Sequence, residues 1–175
     1  MRLALVCALA LASPACDTAD PFGLYPEPAR EVVAPLGLTG RVVDEAHLLS
    51  ESEEAAITQE LDCLEQDTLV QLVVVTTPSL DGQSIEDYSL ALGRGWGIGD
   101  KDRDDGLLLV LAPRERRMRI EVGYGLEDIV DDPFAAEVVE GMKPYFKNAD
   151  YKGGIDYGVA RLSDRVRKPA SRKAA

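Results

Sequence analysis

The strictest constraint on this chain is a pair of apolar strands joined by almost nothing. "GLLLVLA" (Gly106–Ala112) and "RMRIEV" (Arg117–Val122) are separated only by "PRER". Parallel neighbours need a crossover of about a dozen residues or more. These two segments therefore form an antiparallel hairpin, and the start of the first strand lies beside the end of the second. The first strand is apolar throughout, as a strand buried on both faces must be. The second alternates, with Met118, Ile120 and Val122 on one face and Arg117, Arg119 and Glu121 on the other, which suits a sheet edge.

Helical and strand patterns surround this hairpin. Ser50 and Glu53 make a capping box, and Ile57, Leu61 and Leu64 repeat at helical spacing, predicting a helix over about Glu51–Gln66. "LVQLVVVTTP" is a β-branched strand stopped by Pro78. A second helix is capped by Ser84 and presents Ile85, Tyr88 and Leu92 on one face. A third starts at Pro133 with Asp132 as its N-cap, carries Val138 and Met142, and is broken or kinked at its end by Pro144. A fourth runs from about Gly154 to Val166. The order predicts an α/β domain with a central sheet covered on both sides.

The ends are different in kind. "MRLALVCALALASPAC" has one arginine, an apolar run from Leu3 to Ala12 and small residues before Cys16, the pattern of a secretory signal. Residues 1–15 are read as signal peptide, 16–40 as a Pro- and Gly-rich tether, 41–166 as the folded domain and 167–175 as a basic disordered tail. Ser13-Pro14-Ala15-Cys16 resembles a bacterial lipobox, although Ser and Pro depart from its usual residues; plain cleavage after Ala15 or Ala12 is the alternative. A lipid on Cys16 would anchor the protein to a membrane. The expected location is exported: the cell envelope, periplasmic or extracellular. Cys63 has no intramolecular partner once Cys7 leaves with the signal and Cys16 is taken by cleavage, and reads as a small buried helix residue. His47 has no serine or cysteine motif to serve, so no hydrolase triad is assembled.

From Arg41 to Gly158 there are 26 acids against 11 bases, a net charge of −15. That balance argues against nucleic acid and for cations as partners, or for solubility alone. The acids concentrate in two loops. "GDKDRDD" precedes the first hairpin strand and "GYGLEDIVDDP" follows the second, so both leave the same end of the sheet. Asp100, Asp102, Asp104 and Asp105 thereby approach Glu127, Asp128, Asp131 and Asp132. Carboxylates held together repel unless they splay into water, take up protons or share a cation. A divalent ion, calcium or magnesium, is the simplest bridge, because calcium accepts six to eight oxygens in irregular arrangements.

Known motifs do not account for the first loop. An EF-hand counted from Asp100 needs Gly at position six and Glu at position twelve, where this chain has Asp105 and Leu111. An aspartyl-phosphate nucleophile ends a strand, whereas here the strand follows the acids. "GYG" lacks the third glycine and the helix of a dinucleotide fingerprint. Tyr145 and Tyr151 read as packing residues.

The ordered blocks "GRVVDEAHLLS", "WGIGDKDRDDGLLLVL", "RIEVGYGLEDIVDDP" and "MKPYFKNADYKGGIDYGV" resemble a TPM domain over about Gly40 to Val166. The resemblance implies a three-layer α/β/α sandwich with a central mixed sheet that includes the antiparallel hairpin. It also implies export, and divalent cations or acid phosphatase activity in some members. Asp104 and Asp105 fall on the family's Asp-[Asn/Asp]-Gly, Asp132 on the acid after the "GLE" block and Asp44 on the acid of "V-x-D-x-A".

Two functions follow as expectations. One is an exported divalent-cation-binding domain that acts at the membrane as a partner-binding or membrane-protein-maintenance module. Its metal ligands would be drawn from Asp104, Asp105, Asp132, Glu127, Asp100 and Asp102. The other is a metal-assisted acid phosphatase for phosphomonoesters, in which metal and carboxylates activate water. The phosphatase must overcome the loops' repulsion of a phosphate. Arg165, Arg167, Lys168, Arg172 and Lys173 form a basic end that either contacts anionic lipid or is simply solvated.

Overall fold

The computed structural model describes residues 34–168. The signal-peptide reading, Cys16 and the tail beyond Lys168 lie outside the described residues. Four strands, β1 (Val42–Asp44), β2 (Gln71–Thr76), β3 (Gly106–Ala112) and β4 (Arg117–Val122), form one sheet in the order β1-β2-β3-β4. β1, β2 and β3 run parallel and β4 is antiparallel to β3. Leu107 pairs with Val122 and Ala112 with Arg117, the register demanded by a four-residue turn. Helices α1 (Glu51–Thr68), α3 (Asp132–Lys147) and α4 (Tyr151–Arg167) join Leu72, Val74, Leu107, Leu109 and Ile120 in one core. Helix α2 (Ile85–Trp96) covers Val73, Val75, Leu108 and Val110 on the other face. The architecture is a three-layer α/β/α sandwich.

α1 connects β1 to β2 and α2 connects β2 to β3, and both steps move the same way across the sheet. Their helices nevertheless lie on opposite faces. The two parallel crossovers must therefore have opposite hands, and one of them is the rare left-handed kind. The result is that four strands suffice for two cores.

Local details depart from the sequence reading in physically simple ways. The N-cap of α3 is Asp131, whose Oδ1 accepts the Phe134 N–H at 3.0 Å, and Asp132 is the first helical residue. Asp132 before proline could fill either role, and the extended φ and ψ of Asp131 decide it. Helix α3 continues through Pro144 to Lys147 because that proline is exposed and only the last turn lies beyond it. Helix α4 begins at Tyr151, capped by Asp150, one turn earlier than expected. Its early glycines look like helix breakers, yet a Cβ at Gly154 would strike the ring of Phe146. Cys63 is exposed rather than buried. It lies on the side of α1 away from Ile57, Leu61 and Leu64.

The described end of the tether is part of the folded body. Ala34 and Leu36 pack on the α2 face, and the Trp96 indole N–H donates to the Leu36 carbonyl at 2.7 Å.

Candidate functional site

The acid loops meet as the hairpin requires, at the amino ends of β2 and β3. α2 ends in a left-handed Gly97, and the chain then turns through Ile98 and Gly99, whose N–H donates to Gln71 Oε1 at 2.7 Å. Asp104 stands at φ 47°, a left-handed position that an aspartate tolerates better than most residues. Its N–H reaches the Asp100 carbonyl at 2.7 Å.

The second loop leaves β4 through Gly123 and a short 3-10 turn (Tyr124–Leu126). The Gly125 N–H donates to the Asp104 carbonyl at 3.1 Å, and the Gly123 N–H to the Gly106 carbonyl at 2.8 Å. A Cβ at Gly123 would overlap the Asp104 carbonyl, and one at Gly125 the Arg103 carbonyl. These glycines let two backbones touch. The close approach is the physical content of "GYG", a role that the sequence reading did not assign.

The carboxylates divide into two groups. Asp105 is buried, and its oxygens accept the Asp100 N–H at 2.8 Å and the Arg103 Nε–H at 2.5 Å. Asp100 Oδ1 accepts the N–H groups of Asp102 and Arg103 at 3.0 and 3.2 Å, and its Oδ2 lies 3.4 Å from the Arg103 guanidinium. Arg103 is thus the loop's own counter-ion. The hydrogen bond to Asp105, with the charges of Asp100, Asp105 and Asp102, holds the guanidinium above its ordinary pKa. Asp131 is occupied as a helix cap.

Asp104 and Glu127 are in the other group and take part in none of these bonds. Together with Asp100 they line a cleft of about 380 Å³ between the loops, whose wall also includes Arg94, Lys101 and Tyr124. Tyr124 is 77% exposed at this cleft. Asp102 and Asp132 are exposed and do not line it.

The donor chemistry suits a hard cation, because every candidate ligand is a carboxylate oxygen. The side chains do not form a ready-made cage: no three Asp, Glu, His or Cys side chains among the described residues are grouped as for a metal ion. An ion would have to complete its shell with water.

The remaining singled-out residues have structural duties. Asp44 lies at the opposite, carboxyl end of the strands, where it accepts the N–H groups of Leu48 and Leu49 at 3.1 and 2.8 Å and a bond from the Thr76 hydroxyl. Arg165 packs 4.8 Å from the centre of the Phe134 ring, and its Nε–H donates to the Ile129 carbonyl at 2.6 Å. It thereby ties α4 to the second acid loop. Arg167 pairs with Asp67 at 3.3 Å. Tyr145 stacks near Tyr157 and Tyr151 near Phe146, with centroids 5.8 and 5.9 Å apart.

Residues 42–165 match the family model of the TPM domain. The solution structure of the N-terminal domain of a Porphyromonas gingivalis protein (P.gingivalis) is 36% identical, covering 73% of this chain and 82% of that one with a TM-score of 0.68. The N-terminal domain of the cg2496 protein from Corynebacterium glutamicum is 19% identical, with 81% and 88% covered and a TM-score of 0.58. The BA42 protein from the psychrophilic bacterium Bizionia argentinensis is also 19% identical, with 73% and 88% covered and a TM-score of 0.61. These last two share the fold. No match was found among curated proteins.

Proposed function

The chain belongs to the TPM domain family, and from that premise we propose that it is an exported domain that binds a divalent cation, calcium before magnesium, between its two acid loops. The supporting observation is Asp104. Its backbone is held at φ 47° by bonds to Asp100 and Gly125; it lines the cleft with Asp100 and Glu127, and unlike Asp100 neither Asp104 nor Glu127 pairs with Arg103. Bound there, a cation would neutralise the rim and offer open coordination positions to an acidic or carbonyl group of a protein partner at the membrane. With few protein ligands and several waters, affinity is expected at about 10⁻⁴–10⁻³ M, the range of extracellular calcium modules. Anchoring would come from a lipid on Cys16. Calorimetric titration of calcium into chelator-stripped protein tests the reading: Asp104→Asn with Glu127→Gln should abolish the heat. No heat and no thermal shift at millimolar calcium in the parent would overturn it.

A second reading, metal-assisted hydrolysis of phosphomonoesters, is favoured by Arg94 and Lys101 in the same cleft wall, where they could offset the repulsion of phosphate. A generic phosphomonoester assayed at acidic pH, with and without the ion, separates the two. Turnover lost in the same double variant supports hydrolysis; equal rates in variant and parent remove it.

A further inference from the structure

The other end of the hairpin carries a cleft of opposite charge. It has a volume of about 550 Å³ and lies beyond the carboxyl end of β3, between the hairpin turn and the junction of α3 and α4. Arg116, Arg117, Lys143 and Lys147 line it, with Phe146 and Tyr151, and no acidic residue does. In a chain of net charge −12, four cations on one cleft are a strong local reversal. Only Lys143 has a counter-ion, Glu140 on its own helix; Arg116, Arg117 and Lys147 make no ion pair among the described residues. The nearest acid in the turn, Glu115, is engaged elsewhere: its Oε1 accepts the Leu80 N–H at 3.2 Å and lies 3.4 Å from the Ser79 hydroxyl. Like charges held together favour an anion between them, as carboxylates favour a cation.

The walls are as telling as the charges. Phe146 and Tyr151 stack with an interplanar angle of 29°, giving an apolar surface beside the cations. The volume falls in the range of about 300–1,000 Å³ typical of small-ligand sites. The carboxyl end of parallel strands is also where open α/β sheets ordinarily hold ligands. Guanidinium forks match phosphate oxygens in pairs, and Arg116 and Arg117 supply two of them.

We propose that this cleft binds a phosphate group carried on an apolar body, independently of the acid loops at the other end of the sheet. The phosphate belongs either to a small soluble ester or to a lipid headgroup. The test uses the purified chain with two probes: phenyl phosphate followed by amide chemical shifts, and phosphatidylglycerol vesicles in co-sedimentation against neutral phosphatidylcholine vesicles. Saturable shifts at Arg116, Lys147 and Tyr151 are expected with the soluble ester, or selective sedimentation with the anionic vesicles if the source is lipid. Arg116→Gln with Lys147→Gln should weaken whichever binding occurs by about tenfold or more. Both side chains are exposed, so thermal melting and the calcium titration should be unchanged. Arg117→Gln provides a second variant expected to weaken binding in the same direction. Absence of binding to both probes, or binding undiminished in the double variant, would overturn the proposal.

Discussion

Gly125 and Asp104 are 21 positions apart, yet the N–H of one meets the carbonyl of the other at 3.1 Å. This bond joins the loop before β3 to the loop after β4. A methyl group at Gly125 would overlap the Arg103 carbonyl. Gly125→Ala should therefore cost about 1–3 kcal/mol, as overpacking does. It should also weaken any calcium binding, because the loops must separate. Urea unfolding with and without calcium measures both effects; a fully stable variant would show that the loops yield easily.

Asp105 and Asp102 should behave very differently although both belong to the same acidic run. Asp105 is buried and accepts from Asp100 and Arg103, whereas Asp102 is exposed. Asp105→Ala strands two donors and is expected to destabilise by about 2–3 kcal/mol, reduced from a fully buried pair because Arg103 is half exposed. Asp102→Ala should stay within about 0.5 kcal/mol. Equal losses in chemical denaturation would contradict this division.

The neighbouring acids at α3 offer a sharper comparison. Asp131 caps the helix through the Phe134 N–H, so Asp131→Ala should cost about 1 kcal/mol. Asp132 contributes only its charge near the helix N-terminus, and Asp132→Ala should cost a few tenths, roughly 0.3 kcal/mol. Thermal melts of the two variants at matched salt decide the order.

Alkaline stability should depend on Tyr88. Burial raises its phenol pKa, opposed by the hydrogen bond to Thr77 and aided by Asp81 and Glu45. With the folded pKa above the unfolded value, its contribution is fully present below about pH 10 and is lost as pH rises through the folded pKa. Tyr88→Phe should remove that part of the loss while leaving Thr77 its bond to the Ser79 carbonyl at 2.8 Å. Denaturant midpoints from pH 8 to 11 test the sign: a variant whose midpoint falls as steeply as the parent's would exclude Tyr88 as the source.

Much of the frame was legible in the residues. A four-residue link between two apolar runs permits only a hairpin, and alternation in Arg117–Val122 places that strand at an edge. Ser50 and Ser84 cap their helices as their spacing predicts. β1 was missed because its three residues, Val42–Asp44, are too few for a periodic signal. Counting acids also overstated the density of the site. It could not reveal that Arg103 already pairs with Asp100 and Asp105, or that Asp131 is a cap.

By itself, the sequence determined that Gly106–Ala112 pairs with Arg117–Val122 and that the two acid loops leave the same end of that hairpin, because a four-residue link permits no other neighbour. Only the tertiary structure decided which acidic residues line the cleft, on which side of the sheet α1 and α2 lie, and that Arg116 and Lys147 share a second cleft. Those outcomes depend on side-chain direction and on contacts between residues distant in the chain, where several arrangements satisfy the same local pattern and packing selects one.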